Sequence, residues 1–236
     1  VSATVRRVAV LLLTGSFVAG GAFAQQQPAA PGALPGGRIE RPEVKVGDVW
    51  KYRVTDTYTS LVQGIFAVEV AAVTADRIQT RRSRAASGPA DPGSGAEVLE
   101  TWDRDWNLLA QGGVEYKPYY PTLRFPLEPG KQWTGAAEWR TGSGIMTHTV
   151  TAQVVGWERI TVPAGSFDAV RITRRGDFIE AQSINYYAGN GVVADVIWYA
   201  PAIGQIVRKD IRHRDVSNTR YSDLAERWEL VEFRRH

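Results

Sequence analysis

The chain is 236 residues long, with 28 Lys and Arg against 25 Asp and Glu, and it contains no cysteine. The missing thiols exclude disulfides, thiol catalysis and a lipid-bearing cysteine behind an export signal, so the core alone must hold the fold. The charge excess is small and dispersed; the groups Arg81, Arg82, Arg84 and Arg171, Arg174, Arg175 read as solvated strand faces, and no nucleic-acid partner is expected.

Arg6 and Arg7 open a basic region ahead of a mostly apolar run over residues 8–18, which closes on Ala22-Phe23-Ala24 before Gln25. This is the A-x-A pattern of a secretory cleavage site, so residues 1–24 are expected to be a cleavable signal peptide. Retention as a membrane anchor is the alternative. The run carries Thr14, Gly15, Ser16, Gly20 and Gly21, however, where a span wants about 20 predominantly apolar residues. The expectation is a periplasmic or secreted protein of a Gram-negative envelope, with no transmembrane span once the signal is gone. Without Arg6 and Arg7 the balance becomes 26 basic to 25 acidic residues. Residues 25–43, QQQPAAPGALPGGRIERPE, offer almost nothing to bury and read as a flexible leader, with order beginning near Val44. A single β domain is expected over residues 44–236.

From there apolar residues recur with period two. In VWKYRV, Trp50, Tyr52 and Val54 share one face, and Lys51 and Arg53 the other. A long low-complexity loop is expected over residues 83–96, and DRDWN, residues 103–107, reads as part of a strand. WTGAAEWR sets Trp133, Gly135, Ala137 and Trp139 against Thr134, Ala136, Glu138 and Arg140; HTVTAQV sets Val150, Ala152 and Val154 against Thr149, Thr151 and Gln153. Such alternation marks half-buried antiparallel strands. The Gly and Pro turns at EPGK, RTGSG, VPAGS, YAGNG and YAPAIG fit a meander. In ITVPAGSFDAVRI, residues 160–172, Pro163 presets the first turn position. Gly165 is expected in the left-handed conformation ending a three-residue loop, and Phe167, Val170 and Ile172 anchor the returning strand. The best helix candidate is YSDLAERW, with Ser222 as N-cap, and it allows one turn at most.

A faint repeat places Ile78 28 residues after Trp50, and Ile160 27 residues after Trp133. It suggests two similar β modules, over residues 44–110 and 127–236. The expected fold is all-β. It is a long curved antiparallel sheet forming an open barrel or half-barrel, lipocalin-like or clam-like, with little or no helix.

Chemistry-bearing patterns are sparse. Three histidines, His148, His213 and His236, without cysteine or an H-x-x-x-H pair, do not suggest a transition-metal site. DRDWN lacks the glycine of a calcium loop. PAGSFDA is not the G-x-S-x-G turn of a serine hydrolase, so Ser166 and Asp168 read as turn-edge polar residues and no catalytic residue is assigned. Glu100, Asp103 and Asp105 beside Trp102 and Trp106 form an acidic-aromatic cluster, which reads as an exposed strand edge with buried indoles. No G-x-G-x-x-G or P-loop is present, and no cofactor is expected.

Three stretches carry a resemblance. They are Phe125-Pro126-Leu127 with Pro129-Gly130-Lys131 and Trp133; residues 160–172; and Trp198-Tyr199-Ala200-Pro201 with Gly204, Ile206 and Val207. With the closing ERWELVEF, residues 226–233, they resemble bacterial exported proteins of the domain of unknown function 3108 type and its relatives. The resemblance runs over roughly residues 44–233. It implies a curved antiparallel sheet in the cell envelope, with no established reaction and no catalytic residues to carry over.

Eight Trp, nine Tyr and seven Phe are dense for such a sheet. They either fill its concave face or line a cavity. The functional expectation is a non-enzymatic envelope protein that binds an apolar or amphiphilic ligand, such as a lipid, against concave-face Trp50, Tyr52, Trp133, Trp139 and Trp198. The alternatives are an adaptor that binds another envelope protein by sheet-edge addition and, more weakly, a hydrolase.

Overall fold

The computed structural model describes residues 36–85, 97–142, 144–182, 189–217 and 223–236. The expected signal peptide, the leader as far as residue 35, and residues 86–96 of the low-complexity loop lie outside the described residues. The strands are β1 (Val49–Asp56), β2 (Val62–Val73), β3 (Arg77–Ala85), β4 (Val98–Asp103), β5 (Leu108–Gln111), β6 (Val114–Tyr120), β7 (Gln132–Arg140), β8 (Gly144–Val162), β9 (Gly165–Gln182), β10 (Gly189–Ala200), β11 (Gln205–Asp215) and β12 (Leu224–Arg234). Among the described residues the one helical element is a 3-10 turn, Pro201–Ile203. No helix there is long and apolar enough to cross a membrane.

Each strand pairs antiparallel with its neighbours in sequence, and β12 returns to β1, so the sheet closes into a barrel. The antiparallel all-β expectation holds; the barrel is closed rather than open. Closure is made by a ladder running from Val49↔Arg234 to Asp56↔Glu226, with a bulge between Lys51 and Tyr52. It satisfies two strand edges that an open sheet would leave unpaired. The outer faces of the same strands carry matching charges. Lys51 reaches Glu232 at 2.9 Å, and Arg53 reaches Glu229 at 2.9 Å.

The alternating patterns become the barrel wall. Trp50, Tyr52 and Val54 are buried on β1, Trp133 and Ala137 on β7, and Val150, Ala152 and Val154 on β8. β8 and β9 pair along their length from Gly144 to Val162, and their crossing demands one bare backbone. A Cβ built on Gly176 would stand 1.8 Å from the carbonyl oxygen of Thr149.

The core is concentrated at one end, where β1 and β11 begin and β2, β8 and β10 finish. The connection between β6 and β7 folds into this end and brings Leu123 and Leu127 to near-zero exposure, with Phe125 edge-to-face on Tyr199 at 5.3 Å. Ile39, within the stretch read as leader, is also buried here. Its backbone exchanges two hydrogen bonds with Leu127, at 2.7 and 2.8 Å, so order begins before Val44. Buried Asp48 accepts hydrogen bonds from the amides of Lys45 and His236, tying the start of β1 to the end of the chain. This is the sealed end of the barrel.

Several local expectations are corrected. The ITVPAGSFDAVRI hairpin closes on the pair Val162↔Gly165, so its loop is Pro163 and Ala164 alone. Gly165 takes φ +131°, outside the left-handed helical value but equally unfavourable to a side chain. In DRDWN, Asp103 ends β4 and the four residues after it form a turn, not strand. The Asp103 carboxylate accepts from the amides of Asp105 and Asn107 and from Asn107 Nδ2, a short polar cap that competes with ladder pairing. YSDLAERW is strand rather than helix from Leu224 on, because β1 and β11 flank it. The two repeat blocks do not map onto equivalent hairpins: Trp50 and Ile78 sit on β1 and β3, whereas Trp133 and Ile160 sit on adjacent β7 and β8.

Candidate functional site

Above the sealed end the barrel is hollow. A cavity of about 350 Å³ is lined by aromatic residues from the sheet wall and by buried polar groups. That volume lies in the range of about 300–1,000 Å³ found for small-molecule sites. Trp50 and Trp106 meet edge to face at 5.8 Å, Trp102 packs on Trp106 at 5.8 Å, and Tyr52 tilts against Trp228 at 6.2 Å. Trp106 reaches this wall from the Asp103–Asn107 turn with φ +62°, an uncommon value for a residue with a side chain. The Asp103 cap described above holds that turn. Asn107 Oδ1 in turn accepts from the amides of Thr122 and Leu123, joining the turn to the sealing segment.

Two polar clusters stand inside the barrel. In the first, buried Glu100 accepts hydrogen bonds from Arg82 Nε at 2.7 Å, Gln111 Nε2 at 2.7 Å and the Thr80 hydroxyl at 3.1 Å; Trp102 Nε1 donates to Thr80 Oγ1. In the second, Arg174 Nη1 lies 3.2 Å from Asp195 Oδ2, and His213 Nε2 lies 3.4 Å from Asp195 Oδ1. Burial opposes charge on Asp195, but His213 and Arg174 outweigh it and hold the carboxyl below its ordinary value. The Arg174 guanidinium lies over the ring of Tyr120 at 5.2 Å, and its Nε and Nη2 are buried without a hydrogen-bond partner. Lys209, also facing the cavity, rests its ammonium on the Trp228 ring at 4.3 Å, and burial pushes its pKa down.

A second chamber of about 380 Å³ shares Leu108, Gln111, Tyr120, His213 and Leu224 with the first and so continues it away from the sealed end. His148 stands in its wall, ringed by Trp139 at 4.7 Å, Phe178 at 5.5 Å, His213 at 5.5 Å and Tyr120 at 5.6 Å. Burial, with the charges of His213 and Arg174, pushes its pKa down to about 3.

The five residues expected at the ligand site part company. Trp50 and Tyr52 line the main cavity, and the Tyr52 hydroxyl donates to the Ile206 carbonyl at 2.8 Å. Trp139 lines the second chamber. Trp133 packs into the sealed-end core and lines neither. Trp198 falls on the other parity of β10 from Ile197, which lines the cavity, and its ring carries the Arg208 guanidinium at 4.8 Å. Two readings of charged residues are overturned. Glu100 is 2% exposed and interior, not on an exposed edge, because Arg82 balances its charge there and Gln111 donates a hydrogen bond to it. Arg174 is 5% exposed and interior, not on a solvated face, because Asp195 faces it across the β9–β10 ladder. Ser166 is exposed and shares a hydrogen bond with Thr161, while Asp168 pairs with Arg159 across the hairpin. Among the described residues no three His, Asp or Glu side chains are grouped to hold a metal ion.

No family model matches the chain, and no curated relative does. Three solved structures are similar in shape. A candidate exported protein with a YmcC-like fold from Bacteroides fragilis is 15% identical with a TM-score of 0.49, over 84% of this chain and 100% of that one. A candidate lipoprotein from Parabacteroides distasonis is 12% identical with a TM-score of 0.47, over 83% of this chain and 99% of that one. The hypothetical lipoprotein YmcC of Escherichia coli is 9% identical with a TM-score of 0.40, over 78% and 83%.

Proposed function

We propose that the protein is a non-enzymatic binding protein of the cell envelope that holds an apolar or amphiphilic small molecule inside its barrel. The observation that carries this reading is the hollow, aromatic-walled interior, with buried polar groups set in it. Well-packed interiors leave few voids larger than a water molecule, so space on this scale asks for an occupant. The envelope setting rests on the basic, apolar and A-x-A pattern of residues 1–24. Membership among proteins of the domain of unknown function 3108 type is part of the same proposal and rests on the turn and anchor residues quoted above. Sheet-edge addition has less support, since both terminal strands are paired to each other. Hydrolysis has less support, since Ser166 lies outside the barrel beside Thr161.

The test is native mass spectrometry of the protein purified from its own envelope, alongside Val68→Trp, which puts an indole into the main cavity. The expected outcome is a small-molecule adduct on the unaltered protein and its loss from the variant. A bare chain in both preparations, or an adduct indifferent to Val68→Trp, overturns the reading.

A further inference from the structure

The charges inside the barrel bear on what kind of molecule it takes. Acids on its inner strand faces have partners, buried Glu180 accepting from the Thr141 hydroxyl at 2.7 Å. Glu100 is held by Arg82 and Gln111, Asp195 is faced by Arg174 and His213, and Glu226 accepts from Trp228 Nε1 at 2.9 Å. Lys209 differs from the other interior cations. No carboxylate among the described residues lies within 4.0 Å of its ammonium nitrogen, which rests on the Trp228 ring with the charges of Glu100, Asp195 and Glu226 farther off. Arg174 is only partly matched, since Asp195 covers Nη1 and leaves Nε and Nη2 without acceptors. Indole nitrogens of the wall, on Trp50 and Trp106, are likewise donors with no acceptor. Buried donors and cations without acceptors are costly and are ordinarily matched by a partner. Around the main cavity the unmatched groups are therefore chiefly donors, with His148 Nδ1 the unpartnered imidazole nitrogen of the adjoining chamber.

Resting on the binding role proposed above, we infer that the occupant is an anionic amphiphile: a single-chain molecule whose acid group docks at Lys209, beside Arg174, with its apolar chain against Trp50, Trp106 and Trp228. The two connected chambers give the chain somewhere to lie, and the acid supplies the ion-pair contact that Lys209 lacks, since Glu100, Asp195 and Glu226 act on it only from beyond 4.0 Å. Carboxylate and phosphate headgroups share this chemistry, and the experiment separates them. A fully neutral or cationic amphiphile would leave Lys209 unmatched.

The experiment is tryptophan-fluorescence titration of the full chain with dodecanoate, dodecyl phosphate, dodecanol and dodecyltrimethylammonium, repeated on Lys209→Met and Lys209→Arg. One or both acids should bind about tenfold or more tighter than dodecanol, as a charge-assisted contact in a dry site provides. The acid that wins names the headgroup. Lys209→Met should abolish the advantage, bringing the ratio of acid to dodecanol affinity to about one, and Lys209→Arg should retain it. Equal affinity for acids and dodecanol, or an advantage that survives Lys209→Met, overturns this inference and leaves the binding role standing. Binding of none of the four probes overturns the inference together with the role on which it rests.

Discussion

His148 is a base kept from its proton. Four aromatic rings surround it, its Nδ1 is buried without a partner, and its pKa falls to about 3. In the unfolded chain the same imidazole titrates near 6.5. Between those values the unfolded state holds a proton that the folded state refuses, so stability is full above about pH 6.5 and is lost as pH falls toward 3. Thermal melts from pH 7 to pH 4 should show the melting temperature falling, and His148→Leu should flatten that limb; an unchanged limb removes His148 as the cause. Asp195 makes the opposite kind of test. Asp195→Ala strands the Arg174 guanidinium in the interior, and removing one partner of a buried pair costs about 3–5 kcal/mol. Calorimetry should show that as a fall of several degrees or more in melting temperature, larger than for Asp168→Ala at the exposed Arg159 pair. Both interior residues were partly legible. Asp195 has the parity of Val193, Ile197 and Tyr199, and Arg174 that of Val170, Ile172 and Phe178, all buried. Strand parity predicts them inward, but a charge on a strand reads as solvent-facing until its partner is known, and the partner lies on another strand.

At the level of elements, the wall is uneven. β8 and β9 pair from Gly144↔Gln182 to Val162↔Gly165, whereas β6 and β7 share two residue pairs, Lys117↔Glu138 and Pro118↔Ala137. Side chains rather than backbone bonds close the rest of that seam, with Tyr116 at 5.1 Å and Tyr120 at 6.0 Å from the ring of Trp139. Proline on β6 explains the short ladder, since it cannot donate to a neighbour. Hydrogen exchange should therefore find β6 amides opening well before those of central β8 and β9; equal protection would show that the aromatic contacts hold the seam as firmly as a ladder. The long strands were legible because Trp133, Ala137, Val150 and Val154 alternate without interruption. The DRDWN turn was not, because its geometry comes from one carboxylate bonding locally to the backbone and needs neither Gly nor Pro.

For the whole molecule, closure is the property that local pattern could least reveal. It pairs residues 49–56 with residues 226–234, and nothing in VWKYRV or ERWELVEF specifies the other as its neighbour. An open sheet and a closed one share the same alternation. Closure also predicts a sharp dependence on β12. Ending the chain before Leu224 would leave β1 and β11 as facing open edges and bare the aromatic interior, so the truncated protein should bind 1-anilinonaphthalene-8-sulfonate and associate on gel filtration. A monomeric, dye-silent truncation would mean that the remaining strands close without it.

The knot of contacts at the sealed end, where Asp48 holds His236 and Leu127 holds Ile39, gives the barrel a foot, and the Trp139 and His148 chamber stands away from it as the bowl of a cup does.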